Sequence, residues 1–148
     1  MKAIVTLFMI FSTSVVLGQT INEKLFQAVS DKDSVKVEIL LNNGGDPNFK
    51  RKSGDFEMSM LIFAVQKQDL KITKLLIEHK AEVDFKDWFK TTALMYAANT
   101  GNKSIVELLI ANGANPNSKD DQGNSVLSAA KESKNEDVIK LIERLQKK

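Results

Sequence analysis

One pattern recurs four times along this chain and keeps its phase. Leucines stand at Leu25, Leu61, Leu94 and Leu127, with gaps of 36, 33 and 33 residues. Alanines follow at Ala28, Ala64, Ala97 and Ala130 with the same gaps. A second apolar mark falls at Ile39, Leu75, Leu108 and Leu141, and a polar turn mark at Asn48, Asp84 and Asn117. A period of this size belongs to stacked units, none of which can bury its apolar face alone. The expected architecture is therefore a solenoid, all-α, in which each unit leans on its neighbours.

The third copy reads most clearly. Thr92 precedes an apolar helical run, where its hydroxyl can cap the free amides of the first turn, and Ser59 and Ser125 hold the same place in the second and fourth copies. Gly101 closes the first helix and Gly113 the second, as left-handed terminators. Between them Ile105, Leu108 and Leu109 form one apolar face at i, i+3, i+4. The stretch from Asn112 to Asn117 then turns the chain outward. Each unit is a helix, a turn, a helix and an extended loop, over about 21–50, 51–86, 87–119 and 120–148. In the last helix Val138, Leu141, Ile142 and Leu145 are apolar while the other positions are polar, which suits a terminal, capping unit.

This unit resembles the ankyrin repeat. Thr92-Ala93-Leu94-Met95-Tyr96-Ala97-Ala98 is similar to that family's Thr-Pro-Leu-His signature with its trailing alanines. Ile105–Leu109 and Gly113–Asn117 match its second helix and the start of its loop, and Asp120-Asp121-Gln122-Gly123 matches its Asp-x-x-Gly fingertip. The resemblance spans roughly residues 21–146. It implies a helix-turn-helix solenoid of four repeats with extended loop fingers, whose concave strip of fingertips and first helices binds other proteins.

The departures from the pattern carry physical content. The signature's histidine position holds Ile62, Met95 and Ser128, so a Thr-His hydrogen bond cannot form. Lys32, Gln68, Lys134 and Lys80 stand where helix-ending glycines are expected. A non-glycine residue held left-handed costs about 1 kcal/mol, so the array should be less stable than an idealised one. The three extra residues of the 36-residue gap lengthen the first finger around Arg51–Met58.

Residues 1–18 read as a secretory signal peptide. Lys2 gives a positive start, and the stretch from Ala3 to Leu17 is apolar except for Thr6, Ser12, Thr13 and Ser14. Cleavage is expected before Gln19, giving an exported product, periplasmic or secreted; one lysine and a short core lean bacterial. That core is too short for a confident membrane span, which takes about 20 apolar residues. A retained leader would instead make a membrane-tethered scaffold.

Of 148 residues, 130 remain once the 18 of the leader are removed. Lys2 leaves too, so 20 basic residues face 19 acidic ones. So small an excess argues against nucleic acid, which needs a concentrated basic face. No cysteine and a single histidine, His79, leave no material for thiol catalysis, disulfides, a catalytic triad or a multi-histidine metal site. No cofactor and no catalysis are expected; a carboxylate-dependent hydrolase is the remote alternative.

Mapped onto the resembled family's binding strip, the contact residues are Trp88, Phe89, Thr91, Asn99 and Thr100 in the third copy. Phe56 and Arg51 in the first finger, Lys90 in the second and Asp121 and Gln122 in the third extend the list. Trp88 and Phe89 sit in a loop between Asp87 and Lys90, off any helical apolar face. Two readings stand: anchors for a protein partner, or a local mini-core against the neighbouring finger. Lys50, Arg51, Lys52, Lys86 and Lys90 form either a basic rim or ordinary solvated loop charges. A monomer with one protein partner is expected.

Overall fold

The computed structural model describes residues 20–54 and 56–147. The leader expected over 1–18, with its cleavage point before Gln19, lies outside the described residues.

Eight helices fall into four antiparallel pairs among the described residues. The first pair is α1, over residues 20–30, and α2, Ser34–Asn42. The second is α3, Met60–Gln66, and α4, Leu70–Glu78. The third is α5, Ala93–Thr100, and α6, Lys103–Ala111; the fourth is α7, Val126–Ser133, and α8, Glu136–Gln146. The inner helices α3, α5 and α7 pack on one another in order, and the outer helices α2, α4, α6 and α8 do the same behind them. None of the described helices is long and apolar enough to cross a membrane.

Each helix starts where a short polar side chain can take up its free amides. Ser59, Thr92 and Ser125 accept from the amides of Ile62, Met95 and Ser128, as their spacing predicts. The outer helices have their own series of caps. Asp33, Asp69, Asn102 and Asn135 accept from Lys36, Ile72, Ile105 and Val138. These four caps keep the same gaps of 36, 33 and 33 and form a further repeat mark.

The repeat marks translate into packing. Ala28, Ala64, Ala97 and Ala130 are fully buried, where a larger side chain would hold neighbouring inner helices apart. Leu25, Leu61 and Leu94 are buried with them. The second apolar mark fails at its first member. Ile39 is 54 % exposed, and Val35 beside it 62 %. On α2 it is Val37 and Leu41 that are buried, and α2 packs on α4. At 100° per residue, Val35 and Ile39 lie on the opposite side, where a preceding unit would stack.

The expected left-handed terminators are all present. Lys32, Gln68, Lys80 and Lys134 have φ of 57°, 56°, 72° and 58°, like Gly101 at 68°. In the fourth pair, Ser125 and Ser128 exchange hydrogen bonds in a capping box, so Ser128 restores polar contact at the signature's histidine position. Ile62 and Met95, at the same position, are instead buried apolar side chains.

The turn mark staples one unit to the next. Asn48 accepts from the Glu82 amide at 2.7 Å and donates to the Lys80 carbonyl at 3.1 Å. Asp84 accepts from the Asn115 amide at 3.0 Å. The last unit closes the series differently, with Gln146 Nε2 donating to the Pro116 carbonyl at 2.8 Å.

The lengthened first finger is not an open loop. It is an antiparallel hairpin of β1, Lys50–Ser53, and β2, Phe56–Ser59, with Arg51 opposite Met58 and Lys52 opposite Glu57. This two-stranded sheet is the departure from a purely α-helical chain. The three extra residues give the finger enough length to pair with itself.

Candidate functional site

The second finger is built around one carboxylate. Asp87 is buried, and its Oδ1 accepts from the amides of Phe89 at 3.0 Å and Thr91 at 2.9 Å. Its Oδ2 accepts from the Tyr96 hydroxyl on α5 at 2.8 Å. The loop closes on itself through Asp87 N to Thr91 O and Lys90 N to Asp87 O. Asp120 repeats the local part of this design in the third finger, taking the amides of Gln122 and Asn124. The Asn124 side chain first, then these amides, hold the Asp120 carboxyl below its usual range. Asp121 N also donates to Phe89 O at 3.1 Å, which ties the second and third fingertips together.

Tyr96 pins the finger to the inner-helix face of the stack. Its phenol is pushed up to about 12, first by burial, then by donating to Asp87 and by that carboxylate's negative charge. Gln66 and Thr91 pull in the other direction. Next to it on this face Phe63 stacks on Phe26, with ring centres 4.8 Å apart and planes within 11°. The Arg51 guanidinium lies 4.6 Å above the Phe26 ring, and the Lys67 ammonium 5.2 Å from Phe63.

Held this way, the fingertip presents its two aromatic rings outward. Trp88 is 56 % exposed and Phe89 47 %, and Phe56 on the hairpin is 54 % exposed. The Phe56 ring lies 5.9 Å from Trp88 and 6.1 Å from Phe89. The three rings therefore touch across two fingers and yet keep about half of their surface in solvent. The rings form a small cluster across the two fingers, and the outer face of that cluster is open. Phe85 differs, being buried with the Lys50 ammonium 4.3 Å above its ring.

The basic residues divide by the pleat of the hairpin. Arg51, Met58 and Phe56 share one face, and Lys52 and Glu57 the other. On that second face an open cleft of about 530 Å³ is lined by Lys52, Glu57, Lys86, Asp87, Trp88 and Lys90. Lys52 pairs with Glu57 at 3.3 Å. Lys90 carries φ of 60° at the place where the third finger has Gly123, at 83°. This strained lysine went unforeseen, although Asp87-x-x-Lys90 against Asp120-x-x-Gly123 was the signal for it.

The remaining expected contact residues lie farther along the strip. Asn99 is exposed and donates to Glu132 Oε2 at 2.6 Å, and Thr91, Asn99, Asp120 and Glu132 help line a second cleft of about 150 Å³. Asp121 and Gln122 are exposed on the third fingertip. Thr100 spends its hydroxyl on the Ala97 carbonyl at the end of α5. The structure thus joins Phe56, Trp88, Phe89 and Lys90 in one place, sets Thr91 and Asn99 at the second cleft, and leaves Thr100 outside both. Asp87 and Tyr96, which hold that place together, are additions from the structure. Among the described residues no group of three acids or histidines is arranged to hold a metal ion.

No curated protein matches the sequence. A family model describing three copies of the ankyrin repeat matches residues 25–120 and, shifted along the chain, 81–147. Together these spans take in α2 to α8, the second half of α1 and all three fingers described above. The family is one of protein-interaction modules, and it is typically non-enzymatic. By this match, and by its repeated helix pairs and outward fingers, the chain belongs to the ankyrin-repeat family.

Proposed function

We propose that this chain is an exported binding module that holds a protein partner across its finger strip and performs no chemistry of its own. The observation that carries this reading is the meeting of Phe56, Trp88 and Phe89 from two fingers, each with about half its surface in solvent. Aromatic side chains on a rigid support are the usual anchors of protein interfaces, since they offer large contact area at little entropic cost. The support here is the Asp87 hydrogen-bond set and its tie to Tyr96. Export rests on the leader alone: Lys2, the apolar stretch to Leu17 and the cleavage point before Gln19.

Affinity capture from the exported fraction of the source cell, with wild type beside the Trp88→Ala, Phe89→Ala double variant, tests the site. A partner retained by wild type should be lost by the variant, at a cost of more than about 2 kcal/mol in affinity. Thermal stability should barely move. Equal capture by both would move the contact surface elsewhere, and a large loss of stability would make the rings structural. Mass spectrometry of the mature N-terminus tests export: a chain beginning at Gln19 is expected, and one beginning at Met1 would turn the protein into a tethered scaffold.

A further inference from the structure

We infer that the partner presents an acidic, extended segment, an apolar side chain set between carboxylates, to the first two fingers. This deepens the binding reading above and rests on it. The fold leaves positive charge unpaired at these fingers. In the cleft between the hairpin and the second finger, both Asp87 oxygens are consumed by Phe89, Thr91 and Tyr96. Glu57 is engaged by Lys52. Lys86 and Lys90 are exposed, and neither forms an ion pair among the described residues. The charged side chains lining the cleft, Lys52, Lys86 and Lys90 against Glu57 and Asp87, leave an excess of one positive charge, with Lys86 and Lys90 unpaired among the described residues.

The fingers are also where the chain's positive charge is gathered. Segments 50–58 and 85–91 carry Lys50, Arg51, Lys52, Lys86 and Lys90 against Asp55, Glu57 and Asp87. That excess of two exceeds the net charge of +1 left on residues 19–148, so the remainder of the mature chain is slightly negative. The next cleft along the strip has the opposite sign, lined by Asp120 and Glu132. An acidic segment is thus favoured at the first two fingers and disfavoured farther along, which fixes its position as well as its class.

Trp88 joins the two halves of the site. Its ring meets Phe56 on one side and lines the lysine cleft on the other. An apolar side chain resting on the ring cluster places its neighbours in the segment over Lys86 and Lys90.

The test is selection from a displayed random dodecapeptide library on the protein purified from the exporting cell. The expected winners carry at least two Asp or Glu residues flanking an aromatic or aliphatic one. Their affinity should fall by about tenfold in the Lys86→Glu, Lys90→Glu double variant, since each exposed pair is worth on the order of a factor of three before repulsion is added. It should also weaken as salt rises. Lys90→Gly guards against misfolding: it relieves the backbone while deleting the charge, so it should weaken the same peptides and leave the helical circular dichroism intact. Neutral or basic winners that are lost on Trp88→Ala, Phe89→Ala would overturn the acidic class and keep the finger strip. Winners indifferent to every one of these variants, or no winners at all, would overturn both. A single-stranded oligonucleotide binding more tightly than the peptides would reassign the lysines to nucleic acid.

Discussion

Replacing Asp87 by alanine should loosen the whole second finger, and the cost can be worked from its contacts. The carboxylate takes three hydrogen bonds, two from backbone amides and one from the Tyr96 hydroxyl. A hydrogen bond to an ionised group contributes about 1.5–3 kcal/mol when well shielded. The two amides lie at a fingertip that water reaches, so about 0.5–1 kcal/mol each is reasonable, with about 1.5 for the part-buried hydroxyl. The total is about 3 kcal/mol, or a fall in Tm of about 10 °C for a domain of this size. Asp87→Asn keeps the Oδ1 acceptor and should cost about 1 kcal/mol, and Tyr96→Phe about 1.5. If the two side chains act as one unit, Asp87→Ala with Tyr96→Phe will cost about 1.5 kcal/mol less than the sum of the singles, because both remove the same bond.

Tyr96 is the chain's only tyrosine, so the tie can be read directly from the ultraviolet titration of its phenol. Its pKa lies above the ordinary 10.0, at about 12, so folding favours the neutral phenol. The contribution is complete below pH 10 and is lost as the pH rises through about 12. In Asp87→Asn the titration should move back toward 10.0. A wild-type phenol that titrates at its ordinary value would refute this account, as would an Asp87→Ala chain within about 0.5 kcal/mol of wild type.

Three further substitutions probe the scaffold, each read by thermal or urea unfolding. Gln68→Gly and Lys80→Gly place glycine where φ is 56° and 72°, and each should stabilise by about 0.5–1 kcal/mol; destabilisation by either would deny the strain. Gly101→Ala should instead cost about 2 kcal/mol. It forces φ of 68° on an alanine whose Cβ would meet Ser133 and Asn135 at 3.1 Å, and an unchanged Tm would mean the next unit can shift away.

Local features were legible because they depend on neighbours in the chain. Caps at Ser59, Thr92 and Ser125 and left-handed turns at Lys32, Gln68, Lys80 and Lys134 follow from alignment with copies that show the motif intact. Ile39 misled because burial of a repeat mark requires a neighbour on that side, and among the described residues the first unit has none there. The hairpin was hidden because strand pairing in an inserted loop depends on the chain reversing near Gly54, not on periodicity. The site itself was half legible. Trp88 and Phe89 stood out as aromatic residues in a loop. Their meeting with Phe56, 32 residues before Trp88, and the hold of Tyr96 on Asp87 belong to the stacked arrangement.

Trp88 is also the only tryptophan in the chain, and it sits at a fingertip, outside the core. Intrinsic fluorescence therefore watches one finger and is nearly blind to the helices behind it. An emission melt would follow detachment of that fingertip from Phe56, whereas circular dichroism would follow loss of the helix stack, and the two curves need not coincide. A lower fluorescence midpoint would then mark local opening rather than a folding intermediate of the whole array. A quenched or blue-shifted emission on adding a partner would report contact at this ring, with no label attached.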